Sequence, residues 1–319
     1  MNSSITFSIV IPTYNRPQSL DRCLNALSQL AYERDRFEVI VVDDGSHTSL
    51  TPILDRWQPH LNLACIRQSN AGPAAARNRG ALQAQGQYLA FTDDDCSPLP
   101  GWLTAFEQAF QAEDALLGGH TLNALPENLC STASQLLIDY LYQYYNVEDN
   151  VGDTPENDDG HVTGNQTKVQ QSQFFASNNF AMPTDYFHKV GGFDTSFPLA
   201  AGEDREFCDR WQQFGYGLQY VPSAQIAHAH SLKLSSFWRQ HFNYGRGAFH
   251  FHQARALRQQ SDIQVEPWKF YSNLLTYPMV KPTSHPTWKL FSLLFLSQVA
   301  TVGGFFWERN HHKLWPVAR

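Results

Sequence analysis

The chain has 319 residues, of which 42% are hydrophobic and 17% are charged, and its formal net charge is −7. This is about twice the length of a typical domain, and the composition is that of a folded globular protein. An acidic chain is a poor partner for phosphate backbones, which excludes nucleic acid binding as the main function. Five scattered cysteines without a CxxC pair argue against a disulfide framework or a zinc ribbon and favour a reducing compartment.

The charge is unevenly distributed along the chain. Residues 1–222 carry a net charge of −15, whereas residues 223–319 carry +8. The second segment also holds 17 of the 43 aromatic residues. An acidic body with a basic, aromatic tail suits an anionic membrane surface or a phosphate-bearing ligand.

The first hundred residues alternate strand and helix signals. The β-branched run Phe7–Ile11 predicts a strand that ends at Pro12, and neither a basic segment nor a cleavage site marks it as a secretory signal. The next predicted elements are a helix over Arg16–Leu30, a strand over Phe37–Val42, a weak helix over Thr51–Trp57, a strand over Leu61–Arg67, a helix over Ala74–Gln85 and a strand over Tyr88–Thr92. Such alternation indicates an α/β fold with a parallel sheet covered on both faces, whose ligands bind at the carboxyl ends of the strands.

Two later segments have a different character. Residues 146–173 are acidic and almost without apolar periodicity, which predicts either a bland surface insertion or a mobile loop over a site. Leu290–Trp307 is 18 residues long without a charge, the lower limit for a membrane span, but an interfacial helix or a packing helix also fits. We expect a catalytic domain over 1–232 and a basic, aromatic, mostly helical region over 233–319.

Acidic groups follow the predicted strands or open a helix. They are Asp43 and Asp44 after VIVV, Asp93, Asp94 and Asp95 after YLAF, and Glu203 and Asp204 in AAGEDREF. Neighbouring carboxylates repel one another, so a divalent cation or hydrogen bonds from a ligand must compensate their charge, and oxygen-rich sites favour Mg²⁺ or Mn²⁺. The alternative is that Asp93 or Asp94 caps a helix starting near Pro100, but a cap explains one aspartate and not three.

Neither glycine-rich phosphate loop occurs in the sequence, because GxxxxGK[ST] and a strand-linked GxGxxG are both missing. A phosphorylated ligand would therefore need a metal ion and arginines to neutralise its charge. The candidate arginines are Arg77, Arg239 and Arg246.

Six motifs follow one another over about residues 6–250. They read IVIPTYNRPQSLDRCLNAL, VIVVDDGS, AGPAAARNRGA, FTDDDC, SNNFAMPTDYFHKVGGFD and GEDREFCDRW. In this order they resemble the family 2 glycosyltransferases, inverting enzymes of the GT-A fold. The resemblance implies a Rossmann-like mixed sheet with helices on both faces, a UDP-, GDP- or dTDP-linked sugar as donor, and Mn²⁺ or Mg²⁺ as cofactor. Processive synthases of this family carry QxxRW, whereas this chain has WRQHFNYGRG there, so transfer of a single sugar is favoured.

The resemblance also implies roles for individual residues. Asp204 is the implied general base, with Glu203 as runner-up, and Asp95 and His228 are the implied metal ligands, with His230 as the alternative histidine. One carboxylate can take the proton of the acceptor hydroxyl, and a metal can neutralise the leaving diphosphate. Residues implied to bind the nucleotide sugar are Pro12, Thr13, Tyr14, Arg16, Asp43, Asp44, Arg77, Asp93 and Asp94. Candidates for contacts with the acceptor or the phosphates are Asn178, Asn179, Glu203, Arg239 and Arg246.

The predicted function is metal-dependent, inverting transfer of one sugar to a hydroxyl of a glycan or lipid-linked acceptor, in the synthesis of glycolipid or surface polysaccharide. The expected location is the cytoplasm, with the basic tail at the inner face of the plasma membrane. One alternative is a sugar-phosphate nucleotidyltransferase, which usually has a glycine-rich loop after its first strand. The other is a non-catalytic nucleotide-sugar-binding scaffold, against which the presence of Asp95, Asp204 and Arg77 argues.

Overall fold

The computed structural model describes residues 5–146, 174–197, 201–258 and 266–311, and within these residues one mixed sheet carries the fold. Its strands are β1 (Phe7–Thr13), β2 (Phe37–Asp43), β3 (Leu63–Arg67), β4 (Tyr88–Thr92), β5 (Cys96–Pro98), β6 (Leu116–Asn123), β7 (Asn179–Pro183) and β8 (Leu218–His228). The strand order is β3-β2-β1-β4-β7-β6-β8-β5. The predicted mobile loop at 146–173 lies outside the described residues, except for Asn146.

Helices cover both faces of the sheet. They are α1 (Pro17–Leu27), α2 (Thr51–Trp57), α3 (Pro73–Ala81), α4 (Trp102–Phe110), α5 (Leu129–Asn146), α6 (Thr184–Val190), α7 (Glu203–Gln213), α8 (Leu234–Leu257), α9 (Trp268–Val280) and α10 (Thr287–His311). A short 3-10 turn, Arg34–Arg36, precedes β2. The α/β prediction is confirmed, although α1 and α3 are shorter than their predicted ranges.

The first half of the sheet is parallel and the second half is mixed. β1 pairs in parallel with β2 and β4, and β2 pairs in parallel with β3. β7 then runs antiparallel between β4 and β6, and β5 runs antiparallel to β8. This arrangement brings the carboxyl ends of β1, β2 and β4 to one edge, which is where we expected ligands to bind.

Every residue of β1 and β2 is buried, because their alternate side chains enter two different cores. Ile9 and Ile11 pack on α1 and α4, through Leu24 and Phe106 among others. Val10 lies in the opposite core, together with residues of α3, α6 and α7. A strand buried on both faces reads as a continuous apolar run, which is the pattern that the sequence showed.

The structure corrects one expected boundary and excludes one alternative. β1 continues through Pro12 to Thr13, because its pairing with β4 stops at Val10 and Pro12 has only β2 beside it. A strand edge of this kind tolerates a residue that cannot donate a backbone hydrogen bond. The helix near Pro100 is α4, which is preceded by Gly101 and has no side-chain cap, so neither Asp93 nor Asp94 caps it.

The last three helices share a third apolar core with α5. Leu136 and Tyr140 of α5 pack with Leu274 of α9 and with Leu290 and Leu294 of α10. The segment after β8 is therefore joined to the sheet domain by a continuous packed interface. The boundary at residues 232 and 233 stays a prediction.

Candidate active site

The end of β4 carries three consecutive aspartates whose side chains reach different partners. Thr13 Oγ1 donates a hydrogen bond of 2.7 Å to Asp94. Arg16 Nη1 donates to both Asp94, at 3.1 Å, and Asp95, at 3.0 Å. The ends of β1 and β4 are neighbours in the parallel sheet, and this brings the predicted residues of the first loop onto the aspartates. Burial raises the pKa of Asp94 to about 6, against the opposing effects of Arg16 and Thr13.

Asp95 is paired with a histidine from the end of β8. β5 and β8 are in register, with Cys96 opposite His228, and His228 Nε2 lies 3.2 Å from Asp95 Oδ1. Burial would raise the pKa of Asp95, but His228 and Arg16 outweigh it and hold the pKa below its ordinary value. The geometry thus distinguishes His228 from His230, whose ring lies beside that of His228 at 5.1 Å between centroids. Burial, followed by the charge of His228, lowers the pKa of His230 to about 4.

Arg77 joins the end of β4 to the start of α7. Its Nη2 donates to Asp93 Oδ1 at 2.7 Å, and its Nη1 lies 3.5 Å from Glu203 Oε1. The residue is only 4% exposed, and its guanidinium stacks over the ring of Phe193 at 5.6 Å. The resemblance implied that Arg77 approaches the diphosphate or the nucleoside, and this stays a prediction. In the structure its guanidinium contacts two carboxylates, which it holds in position.

Glu203 and Asp204 open helix α7, just after Gly202 in the left-handed conformation. A helix start stabilises negative charge, and Arg205 N donates to Asp204 Oδ1 at 2.7 Å. Ser177 N approaches the other oxygen of Asp204 at 3.4 Å. Burial raises the pKa of both carboxyls, and for Glu203 burial together with the charge of Asp204 brings it to about 7.

Asp43 and Asp44 differ in how many donors they already hold. Asp43 accepts from Ser46 N at 2.8 Å and lies 3.3 Å from Arg67, which is mostly exposed. Asp44 accepts four hydrogen bonds of 2.8 to 3.1 Å, from the side chains of Gln68 and Asn70 and from the backbone of residues 71 and 72. Asp44 therefore fixes the turn before α3, which leaves Asp43 as the carboxylate beside the open loop.

Four of the residues predicted to contact ligands have no contact with the carboxylates after β4 or at the start of α7. Asn179 is fully buried, with its amide bonded to Trp102 Nε1 and to two backbone carbonyls, so it is structural. Arg246 is bonded to Glu308 of α10. Arg239 is exposed on α8 and has no ion pair in the described part of the chain. Pro12 is buried within β1, and its role stays a prediction.

Beside His228 there is a cavity of about 90 Å³, and most of the residues that line it have polar side chains. Asn178 belongs to this lining, and its Oδ1 is buried without a hydrogen bond from any described residue. Thr121 Oγ1 and Gln240 Oε1, which also line the cavity, are in the same state. Sequence reasoning missed Thr121 and Gln240, because a single threonine in a strand or glutamine in a helix carries no local signal.

Asn15 was also missed, although an asparagine directly after a strand is a signal for a turn. It has a φ of 56°, a left-handed conformation that asparagine tolerates better than most residues. Its backbone N donates to Ser46 Oγ at 2.9 Å, and its Oδ1 accepts from His47 N at 2.8 Å. Asn15 thereby connects the loop after β1 with the loop after β2. Tyr14, its neighbour in the loop after β1, is exposed.

The donors around Asp95 fit a divalent metal ion. Ligand atoms of Asp95, Cys96 and His228 lie within 4.8 Å of one another. Burial raises the pKa of the Cys96 thiol well above its ordinary value, and a soft thiol suits Mg²⁺ or Mn²⁺ less well than oxygen ligands do. The remaining carboxylate oxygen and imidazole nitrogen are a donor pair that suits Mn²⁺ better than Mg²⁺.

An α/β sheet with acidic side chains at its strand ends, facing a carboxylate pair at a helix start, has the layout of a glycosyltransferase. Residues 8–191 match the family described as Glycosyl transferase family 2, and residues 113–308 match Glycosyl transferase family group 2. The chain therefore belongs to glycosyl transferase family 2, a class of glycosyltransferase enzymes, and has the GT-A fold that the motifs implied.

Relatives and solved structures agree with this family. The chain is 30% identical to chondroitin synthase of Escherichia coli over 250 residues, 69% of this chain and 34% of that protein. It is 40% identical to glycosyltransferase AglE of Haloferax volcanii over 32% of this chain and 35% of that one. The chain thus spans about a third of the length of these relatives.

Mannosyltransferase PcManGT from Pyrobaculum calidifontis, solved with GDP-Man and Mn²⁺, has a similar structure. It matches with a TM-score of 0.61 at 15% identity, over 95% of this chain and 87% of that one. Staphylococcus aureus TarS 1–349 matches with a TM-score of 0.52 at 16% identity, over 99% and 93%. At these identities the two structures support the fold alone.

Proposed function

We propose that the chain moves one sugar from a nucleoside-diphosphate sugar to an acceptor hydroxyl, with inversion at the anomeric carbon and with the help of a divalent metal. One observation carries the proposal. Arg77 brings the aspartates after β4 together with the carboxylates that open α7, although 126 residues separate Arg77 from Glu203. An aspartate cluster for the donor and a carboxylate for the acceptor then share one site.

Asp204 suits the role of general base better than Glu203 does. Glu203 is 5% exposed, and one of its oxygens already faces Arg77. Asp204 is half-buried, and the backbone donors of Ser177 and Arg205 orient its carboxylate without neutralising it. Burial raises the pKa of Asp204, which makes it a stronger base than an ordinary aspartate.

The donor nucleotide would bind at the sheet edge formed by the ends of β1, β2 and β4. Asp43, at the end of β2, supplies a hydrogen-bond acceptor for a nucleobase, and Tyr14, in the loop after β1, has an exposed ring. Arg16 offers a half-exposed guanidinium beside Asp95. The GDP-Man in PcManGT and the UDP in a TarS complex support a nucleotide-sugar donor.

Asp95 and His228 would hold the metal ion. A bound divalent ion supplies Lewis acidity, which neutralises the charge that develops on a departing diphosphate. Arg16 and Arg77 orient Asp95 and Asp93, since each carboxylate receives a charged donor. The Mn²⁺ in PcManGT supports this choice of ion.

The acceptor fits the polar cavity beside His228. The free oxygens of Thr121, Asn178 and Gln240 are hydrogen-bond acceptors, which are complementary to the hydroxyls of a glycan or of a lipid-linked sugar. Buried oxygens without partners are costly, so a hydroxyl-bearing ligand stabilises this lining.

Calorimetric titration with UDP, GDP and dTDP, with and without Mn²⁺, tests the donor half of the proposal. We expect one nucleotide to bind and Mn²⁺ to tighten it. The variant Asp95→Asn should lose this metal effect, whereas the control Asp185→Asn, an exposed aspartate on α6, should keep it. Product analysis then tests the reaction: release of nucleoside diphosphate and a product of inverted anomeric configuration support it. Release of pyrophosphate would instead identify a nucleotidyltransferase.

A further inference from the structure

The outer face of α10 carries a continuous apolar stripe. Its members follow one another in steps of three or four residues, so they lie along one side of the helix. They are Trp288, Phe291, Phe295, Val299, Val302 and Phe306, and each is between 41% and 68% exposed. None of the exposed residues between Leu290 and Glu308 is charged. Contiguous exposed apolar surface of this kind marks a site of interaction.

The opposite face of α10 is packed against α8. A Cβ atom added at Gly245 would come within 1.8 Å of Thr301 O, and one at Gly304 within 1.9 Å of Phe242 O. The two helix backbones therefore touch, and glycine is required at both crossings. Near the end of this face, Glu308 is 7% exposed and bonded to Arg246 and His250 of α8. Among the described residues, the face of α10 that carries the stripe is the one left uncovered.

Exposed cations and tryptophans lie at the two ends of α10 and at the start of α9. Lys269, Lys289 and Arg309 are exposed, and none of them has an ion pair with a described residue. Trp288 stands at the start of α10, and Trp268 is 80% exposed at the start of α9. Tryptophan and lysine at the margins of an apolar surface are typical of the boundary between lipid headgroups and acyl chains.

We propose that this stripe docks α10 flat on an anionic lipid bilayer, with the helix axis in the plane of the membrane. α10 has the length and hydropathy of a span. However, a spanning α10 would take its partner α8 into the hydrocarbon, and α8 carries Arg239, Arg246 and Arg255. A second copy of the chain is a poorer occupant, because a symmetric contact would bring like charges such as Lys289 and Arg309 together.

The docked orientation places the candidate site close to the membrane. Gln240 and Tyr244 of α8 line the polar cavity, while Phe242 and Gly245 of the same helix contact α10. α8 and α10 therefore lie between the cavity and the docking face, and the axes of two packed helices are about 10 Å apart. If the proposed function holds, this geometry suits an acceptor that is attached to a lipid.

Sedimentation of the full chain with vesicles tests the docking surface without reference to activity. We expect binding to vesicles that contain phosphatidylglycerol, weaker binding to pure phosphatidylcholine, and release by high salt or by an alkaline carbonate wash. The double variant Phe295→Ser, Phe306→Ser should weaken binding by about tenfold or more for each ring. Each of Lys269→Gln, Lys289→Gln and Arg309→Gln should weaken it about fivefold.

A matched control replaces two exposed apolar residues away from α10, Leu82→Ser and Phe214→Ser, which are 65% and 51% exposed. The control should bind vesicles like the unmodified chain, and all variants should keep their melting temperature and their transfer to a water-soluble acceptor. Three results would overturn the proposal: no binding to anionic vesicles, extraction only by detergent, or a lipid-free dimer that Phe295→Ser, Phe306→Ser dissociates. If the unmodified chain binds vesicles but transfers no sugar, the result counts against the proposed function alone.

Discussion

Glu203 and Glu308 are buried to a similar degree, 5% and 7% exposed, but their surroundings differ. Each oxygen of Glu308 has its own cationic or histidine partner, one in Arg246 and one in His250. Arg77 is shared between Asp93, at 2.7 Å, and Glu203, at 3.5 Å. Glu203 Oε2 has no hydrogen bond from the described residues.

The pKa values follow this difference in partners. Burial would raise the pKa of Glu308, but Arg246 and His250 outweigh it and lower the value. Burial and the neighbouring Asp204 raise the pKa of Glu203 to about 7, and Arg77 offsets only part of this. Between α8 and α10, each oxygen of Glu308 therefore has a partner, and this cluster has a structural role. The group at α7 has carboxylates in excess of its cations, as expected where a ligand or metal completes the site.

Arg77→Met should have the largest effect on stability. It leaves the carboxylates of Asp93 and Glu203 without their shared cation, and removing one partner of a buried pair costs about 3–5 kcal/mol. Urea denaturation measures the free energy of unfolding, and transfer should be lost with it. Arg79→Met, on the exposed side of the same helix, is the control and should change little. An Arg77→Met variant as stable as this control would show that Arg77 does not hold the site together.

The comparison of the two glutamates can be tested by the same substitution at both. Glu308→Gln should destabilise the fold by about 1–3 kcal/mol, because it weakens the bonds of Arg246 and His250. Glu203→Gln should cost less than about 1 kcal/mol near neutral pH, where this carboxyl is already partly protonated. Chemical denaturation at pH 7 measures the free energy of unfolding of both variants. Equal losses at the two positions would show that Glu203 and Glu308 do not differ in how well they are paired.

Sequence patterns predicted the parallel half of the sheet well, because strands buried on both faces and amphipathic helices have clear periodicities. Phe37–Asp43 and Tyr88–Thr92 are found within one residue of their expected bounds. The antiparallel entry of β7 and the pairing of β5 with β8 were not predicted, since strand order depends on contacts between distant segments.

The sequence could predict which residues belong to the candidate site, but not which side chains they contact. The aspartates after β4 and the carboxylates of α7 could be found as acidic groups at element ends. Sequence alone could not show that Arg77 is buried between them, or that the amide of Asn179 is used up by Trp102. Both facts depend on side chains that are more than 15 residues apart in the chain and meet only in the tertiary structure.

The pH dependence of transfer should show the smallest but most specific effect. Asp204 must be ionised to accept a proton, and its pKa is raised above the ordinary value of 3.8 by burial. The rate should therefore rise with pH, and the midpoint of this acidic limb should lie above that value. A profile of kcat/KM against pH measures it. A midpoint at or below 3.8 would assign the limb to a different group.

If Asp204 is the base of a glycosyl transfer, turnover by Asp204→Asn should fall sharply. We expect a loss of transfer of about 10²–10⁴-fold, because the amide cannot take the acceptor proton. Calorimetry on the same variant should show unchanged binding of the nucleoside diphosphate with Mn²⁺, and Asp185→Asn should keep full turnover. Persistent transfer by a folded Asp204→Asn enzyme would contradict the account.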